Sequence, residues 1–156
     1  MSKPDAMTPA RLRALLVGAW QLTAWTIEYP GTGRTTVPFG PDAQGLLLYT
    51  ADGRMSAAMQ RAGRARLVDE VLDRVSDADK ARAFADILQY CGRWQVAGNE
   101  VHHDIEIAVN PNLLGTRQVR GVLIEGDRLT LTAHEQLRDT AAVRIHRVCW
   151  QRVTVG

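Results

Sequence analysis

From residue 17 to residue 29 apolar and polar side chains alternate. Gly18, Trp20, Leu22 and Ala24 fall on one face and Val17, Gln21, Thr23 and Trp25 on the other, the two-residue period of a strand. Ahead of it, Thr8-Pro9 opens a short helix over residues 10–16, because a proline at the first helical position gives up only an N–H that would be orphaned anyway. Pro30-Gly31-Thr32-Gly33 ends the strand as a turn, and Pro38 to Pro41 restricts the next piece to a short or edge strand. Residues 45–50 and 54–60 flank Ala51-Asp52-Gly53, whose Asp-Gly pair marks a hairpin.

The period changes in the middle of the chain. Leu67, Val68, Val71, Leu72 and Val75 have helical spacing, and Ser76-Asp77-Ala78-Asp79 is a capping sequence before a second helix through Ala81, Phe84, Ala85 and Leu88. Strands resume over residues 90–96, 100–109, 116–124, 128–133 and 143–153. About eight or nine strands joined by short turns, with a helical insertion near residues 66–89, favour a mainly β, antiparallel up-and-down barrel or a sandwich over a βαβ architecture. Residues 1–9 are expected to form a flexible leader and residues 10–156 a single domain. A closed barrel of about eight strands is just wide enough inside for one small ligand.

Composition narrows this further. With 156 residues, 46% hydrophobic and 23% charged, the chain suits one compact domain and excludes a two-domain dinucleotide enzyme, a TIM barrel and wholesale disorder. The 19 basic and 17 acidic residues are scattered without a stripe, so no nucleic-acid partner is expected. The early apolar stretch over residues 15–20 is far shorter than the ~20 residues of a membrane span and lacks the features of a secretory signal. The expectation is therefore a cytoplasmic protein with no membrane partner, in which Cys91 and Cys149 are reduced rather than bridged.

Several segments occur in a recognisable order and spacing. They are Gly18-Ala19-Trp20, Pro38 to Gly45 followed by Leu47-Leu48-Tyr49, Asp52 to Ala57, Tyr90-Cys91-Gly92-Arg93-Trp94, Val101-His102-His103, Gly115 to Arg120, Gly126-Asp127-Arg128-Leu129 and Trp150-Gln151-Arg152-Val153. Together, over roughly residues 15–153, they resemble the bacterial and fungal lipocalin-like domain family. The resemblance implies a lipocalin-like β-barrel that binds a small molecule, and some related barrels serve as isomerases, cyclases or lyases; no cofactor is expected.

On a strand His103 shares its face with Val101, Ile105, Ile107 and Val109, whereas His102 shares its face with Glu100, Asp104 and Glu106. In a barrel His103 therefore stands at the cavity wall, and it matches the family's recurrent histidine. It would be a hydrogen-bonded core residue, a ligand contact, or an acid/base group, since an unperturbed imidazole titrates near neutrality. His102, Asp104 and Glu106 have metal-ligating chemistry, but same-face neighbours stand ~6.6 Å apart and a solvated outer face explains them; no metal site is expected.

Gln118 and Arg120 alternate with Val122 and Ile124. Arg120 is either a cavity cation able to hold a carboxylate or enolate, with Gln118 beside it, or a rim residue paired with an acid. Tyr49, Ser56 and Tyr90 are candidate hydroxyl donors to a ligand, while Trp25, Trp94, Met55, Met59 and Trp150 suit core or cavity wall. Ser56 lacks the Gly-x-Ser-x-Gly elbow of a hydrolase nucleophile. Arg152 and Trp20 match the lipocalin arrangement in which a last-strand arginine stacks on the first-strand tryptophan and closes one end.

Two functions follow as expectations. One is binding of a small, largely apolar molecule in the barrel, with the helices of residues 66–89 covering a mouth. The alternative is cofactor-independent isomerisation, cyclisation or elimination on a small carbonyl-containing substrate, with His103 and Arg120 catalytic. A homo-oligomer built on a barrel face is a third possibility of another class.

Overall fold

The structure, a computed structural model, describes residues 6–136 and 142–155. Its elements are α1 (Pro9–Leu16), β1 (Gly18–Tyr29), β2 (Arg34–Thr36), β3 (Gln44–Tyr49), β4 (Arg54–Gln60), α2 (Asp77–Ala85), β5 (Ile87–Ala97), β6 (Glu100–Ala108), β7 (Arg117–Glu125), β8 (Arg128–Gln136) and β9 (Val143–Arg152). Neighbours pair antiparallel in the order β1-β3-β4-β5-β6-β7-β8-β9, and β9 returns to β1 from Trp20 to Glu28. Eight strands thus close into a barrel, which settles the choice against a sandwich. β2 is an extra edge strand paired only to Ile27, Glu28 and Tyr29.

Two bulges correct the expected face assignments. In β1 the register with β9 shifts between Leu22 and Ala24, which leaves Thr23 as the additional residue. Trp25 and Ile27, not Ala24, therefore continue the buried face begun by Trp20 and Leu22. In β6 the register with β5 shifts between Cys91 and Gly92, whose partners are Ile107 and Ile105. Ile107 is turned outward and is 64% exposed, although simple alternation puts it beside His103. His103 lies before that bulge and keeps its inward direction.

The insertion differs most from expectation. Residues 67–75 form no α-helix, only a 3-10 turn at Leu72–Arg74, and Val68, Val71 and Leu72 are exposed. An apolar face with no core to pack against does not hold a short helix, and the Asp69 carboxylate accepts the Val71 backbone N–H at 2.8 Å, a local turn that competes with helix. α2 forms where its cap predicts, with Ser76 Oγ accepting the Asp79 backbone N–H at 3.2 Å, but it buries no side chain. The chain is already in β5 at Ile87, so residues 87–89 are strand rather than helix.

One end of the barrel is closed by α1. Thr8 caps the helix through the Arg11 N–H, and Leu12 and Leu16 join Trp20, Tyr49, Met55 and Trp94 in the core. The Trp20 indole donates to the Leu16 carbonyl at 2.9 Å. The Arg152 guanidinium lies 4.2 Å from the Trp20 ring centre and donates to the carbonyls of Leu15 and Val17 at 2.6 and 3.2 Å, the closure that the Trp20–Arg152 pattern predicts. Arg13 adds a second tie, stacking over Trp94 and donating to the Ala51 carbonyl beside the β3–β4 hairpin. Cys91 and Cys149 are free thiols. Among the described residues no helix is long and apolar enough to cross a membrane.

Candidate functional site

The barrel holds a cavity of about 260 Å³ away from α1. Inward side chains of consecutive strands supply an apolar wall that includes Trp25, Leu47, Ala57, Met59, Leu131 and Val148, and its polar part comes from Tyr90, His103, Gln118 and Arg120 together with His134, Glu135 and His146. No residue between 61 and 86 lines it, so the helical insertion does not cover the cavity as expected.

His103 sits mid-strand between Trp94 of β5 and Gln118 of β7 and is 1% exposed. Tyr49 reaches it from β3, with the hydroxyl 2.6 Å from Nε2, and Tyr90 from β5, with the hydroxyl 2.8 Å from Nδ1. Burial above all, with the nearby Arg120 charge second, pushes the His103 pKa down to about 3, against a smaller upward pull from Asp104. The titration near neutrality that an ordinary imidazole offers is therefore lost. Burial likewise raises Tyr49 well above its usual range and raises Tyr90, which Arg120 partly offsets. All three groups are neutral at pH 7.

Counting donors assigns the tautomer. A neutral imidazole has one N–H and one acceptor nitrogen. Among the described residues the Tyr49 hydroxyl has no acceptor other than Nε2, so it donates there. Nδ1 then carries the proton and donates to the Tyr90 oxygen. Tyr90 is left with its own O–H unspent, and Tyr90 lines the cavity.

Arg120 enters from β7. Nη1 donates to the Val119 carbonyl at 3.0 Å and Nη2 to Gln118 Oε1 at 3.4 Å, while Gln118 Nε2 donates to Thr116 Oγ1 at 3.0 Å. Among the described residues no carboxylate pairs with Arg120, so the rim ion pair considered from the sequence is not what the fold provides. The indole N–H of Trp150, another wall residue, is buried without a partner.

Ser56 stands apart and is corrected as a cavity residue. In β4 the buried side chains are Met55, Ala57 and Met59, which turns Ser56 to the outer surface between Leu48 and Cys91. The outer face of β6 is similarly accounted for. His102 meets Glu100 at 3.2 Å, Arg117 grips Asp104 at 2.6 and 3.0 Å, and Arg54 and Arg93 both reach Glu106. Among the described residues no three His, Cys, Asp or Glu side chains gather as metal ligands.

Sequence reasoning missed a cluster on the cavity wall at its open end. Glu135 accepts from Arg144 at 2.6 Å and from His146 Nε2 at 2.8 Å, and His146 Nδ1 accepts the Trp25 indole N–H at 3.3 Å. The signal was parity: Glu135 follows Leu129, Leu131 and Ala133 on one face, and His146 precedes Val148 and Trp150. The structure extends β8 through Gln136, beyond the expected end at residue 133.

Against known proteins, the model of a family described as a lipocalin-like domain matches residues 17–153. No curated protein matches the chain significantly.

Proposed function

The chain belongs to the lipocalin-like domain family, and on that premise we propose that it binds one small, largely apolar molecule inside the barrel, with Tyr90, His103, Gln118 and Arg120 meeting its polar end. A barrel of this family suits small-molecule binding in general. The observation that carries the finer statement is the buried Tyr49–His103–Tyr90 chain, which ends on a hydroxyl donor at the wall of an otherwise mostly apolar cavity. Tyr49 acts behind His103 rather than on the ligand. The free thiols agree with action in the cytoplasm, and residues 10–156 act as one domain.

Native mass spectrometry of the purified protein tests this: the expected spectrum shows one retained small molecule per chain, or uptake of one on adding an apolar carbonyl compound. A protein that retains nothing and takes up nothing from a panel of such compounds overturns it.

One observation favours the catalytic alternative. Tyr90 and Arg120 lie together where an enolate oxygen would need donors and positive charge. His103, with its pKa near 3, is too weak a base to remove a carbon-bound proton, and its part is to orient Tyr90. Loss of turnover in Tyr90→Phe with ligand affinity nearly unchanged supports catalysis; parallel affinity loss with no measurable chemistry in the parent protein rules it out.

A further inference from the structure

The polar part of the cavity is one-sided. Arg120 gives one N–H to a backbone carbonyl, one to Gln118 and one toward the Tyr90 oxygen, and its remaining donors and its whole charge are left over. Tyr90 adds an O–H that His103 has left free by donating to the Tyr90 oxygen. Gln118 Oε1 already accepts from Arg120, and Glu135 accepts from Arg144 and His146 through Oε2, with its charge offset by the Arg144 ion pair. His103 adds no charge, since each ring nitrogen already has a tyrosine hydroxyl as partner. Among the described residues of the wall Arg120 is therefore the charge with no ion-pair partner, whereas Glu135 is paired with Arg144.

We propose that the ligand is a monocarboxylic acid, bound as its carboxylate on Arg120 and the Tyr90 hydroxyl, with a hydrocarbon body along Trp25, Leu47, Met59, Leu131 and Val148. The assignment rests on the cavity being a ligand site. A carboxylate brings the one negative charge that Arg120 lacks and the acceptor lone pairs that its forked donors fit. A neutral ketone or alcohol uses the donors and leaves the charge unpaired at a part-buried position. An amine meets repulsion from Arg120. A phosphate dianion brings a second charge for which the cavity has no second free cation among the described residues. The volume of about 260 Å³, at roughly 30 Å³ per water-sized group, limits the body to on the order of ten non-hydrogen atoms.

Isothermal titration of the full chain with octanoate, 1-octanol and octylamine tests the head group, since the three share one tail. Octanoate is expected to bind at least about tenfold more tightly than octanol, and octylamine not measurably. In Arg120→Gln the octanoate affinity is expected to fall about tenfold or more while octanol changes less than about threefold; Tyr90→Phe provides a second variant that keeps the charge and loses the hydroxyl. Octanol binding as tightly as octanoate, or octanoate affinity unchanged in a folded Arg120→Gln protein, overturns the carboxylate and leaves small-molecule binding standing. Failure of all three probes, together with an empty native mass spectrum, overturns both. The comparison among probes on the unsubstituted protein stays decisive even if neither variant folds.

Discussion

At the scale of single residues, the buried ring of His103 ties stability to pH. Its pKa is about 3 in the folded chain against the ordinary 6.5, so between those values the unfolded chain binds the extra proton. The contribution is intact above 6.5 and is lost as pH falls toward 3, at up to about 1.4 kcal/mol per pH unit. Urea unfolding at pH 7 and pH 5 should show a loss of about 2 kcal/mol that His103→Gln does not show, because glutamine can accept from Tyr49 and donate to Tyr90 without gaining a charge. Equal losses in both proteins would mean that the folded ring takes up protons freely. Tyr49→Phe should cost about 1–3 kcal/mol in the same assay, since Nε2 is left as a buried acceptor without a donor. Alternation pointed His103, Gln118 and Arg120 to one face, and they line the cavity with Tyr90, whereas Tyr49, singled out for its hydroxyl, stands on His103 and does not line the cavity. Ser56 attracts attention for its hydroxyl alone, and the alternation of Met55, Ala57 and Met59 around it already assigns it to the outside. The tyrosine–histidine–tyrosine chain was not legible, because three separate strands bring its members together.

At the scale of elements, alternation predicts strands well and fails wherever one residue is inserted. The bulges at Thr23 and in β6 at Glu106 each reverse the faces that follow, and no side chain at either place announces them. Gly92 is the nearest to a signal. A Cβ there would lie 1.9 Å from the Asp104 carbonyl oxygen, so only glycine allows β5 and β6 to approach this closely. Gly92→Ala is expected to lower stability by roughly 3 kcal/mol or more, read from the denaturant midpoint, because backbone must move to admit the methyl group. A change below about 0.5 kcal/mol, the usual range for an unconstrained surface site, would contradict that packing. The stretch from 67 to 75 shows the opposite failure, in which helical spacing is present and the missing ingredient is a surface to bury it against. Ser76 before α2 succeeds because a cap acts locally and needs no tertiary partner.

At the scale of the whole molecule, closure depends on β9 meeting β1, and Arg152 fastens that seam to the helical floor. It touches the Trp20 ring, two carbonyls at the end of α1 and Asp127 at once. Arg152→Ala should therefore cost about 2–4 kcal/mol, and it should accelerate amide exchange in α1 more than in β6 or β7. Uniform exchange across the barrel would show that α1 has no separate anchorage. Because α1 stops one end, the described residues leave a molecule held inside the opposite end to pass through, where Glu135 and His146 stand in the wall. A newcomer cannot push an occupant out from behind. Replacement has to wait for vacancy, and the exchange rate should stay the same however much competitor is added.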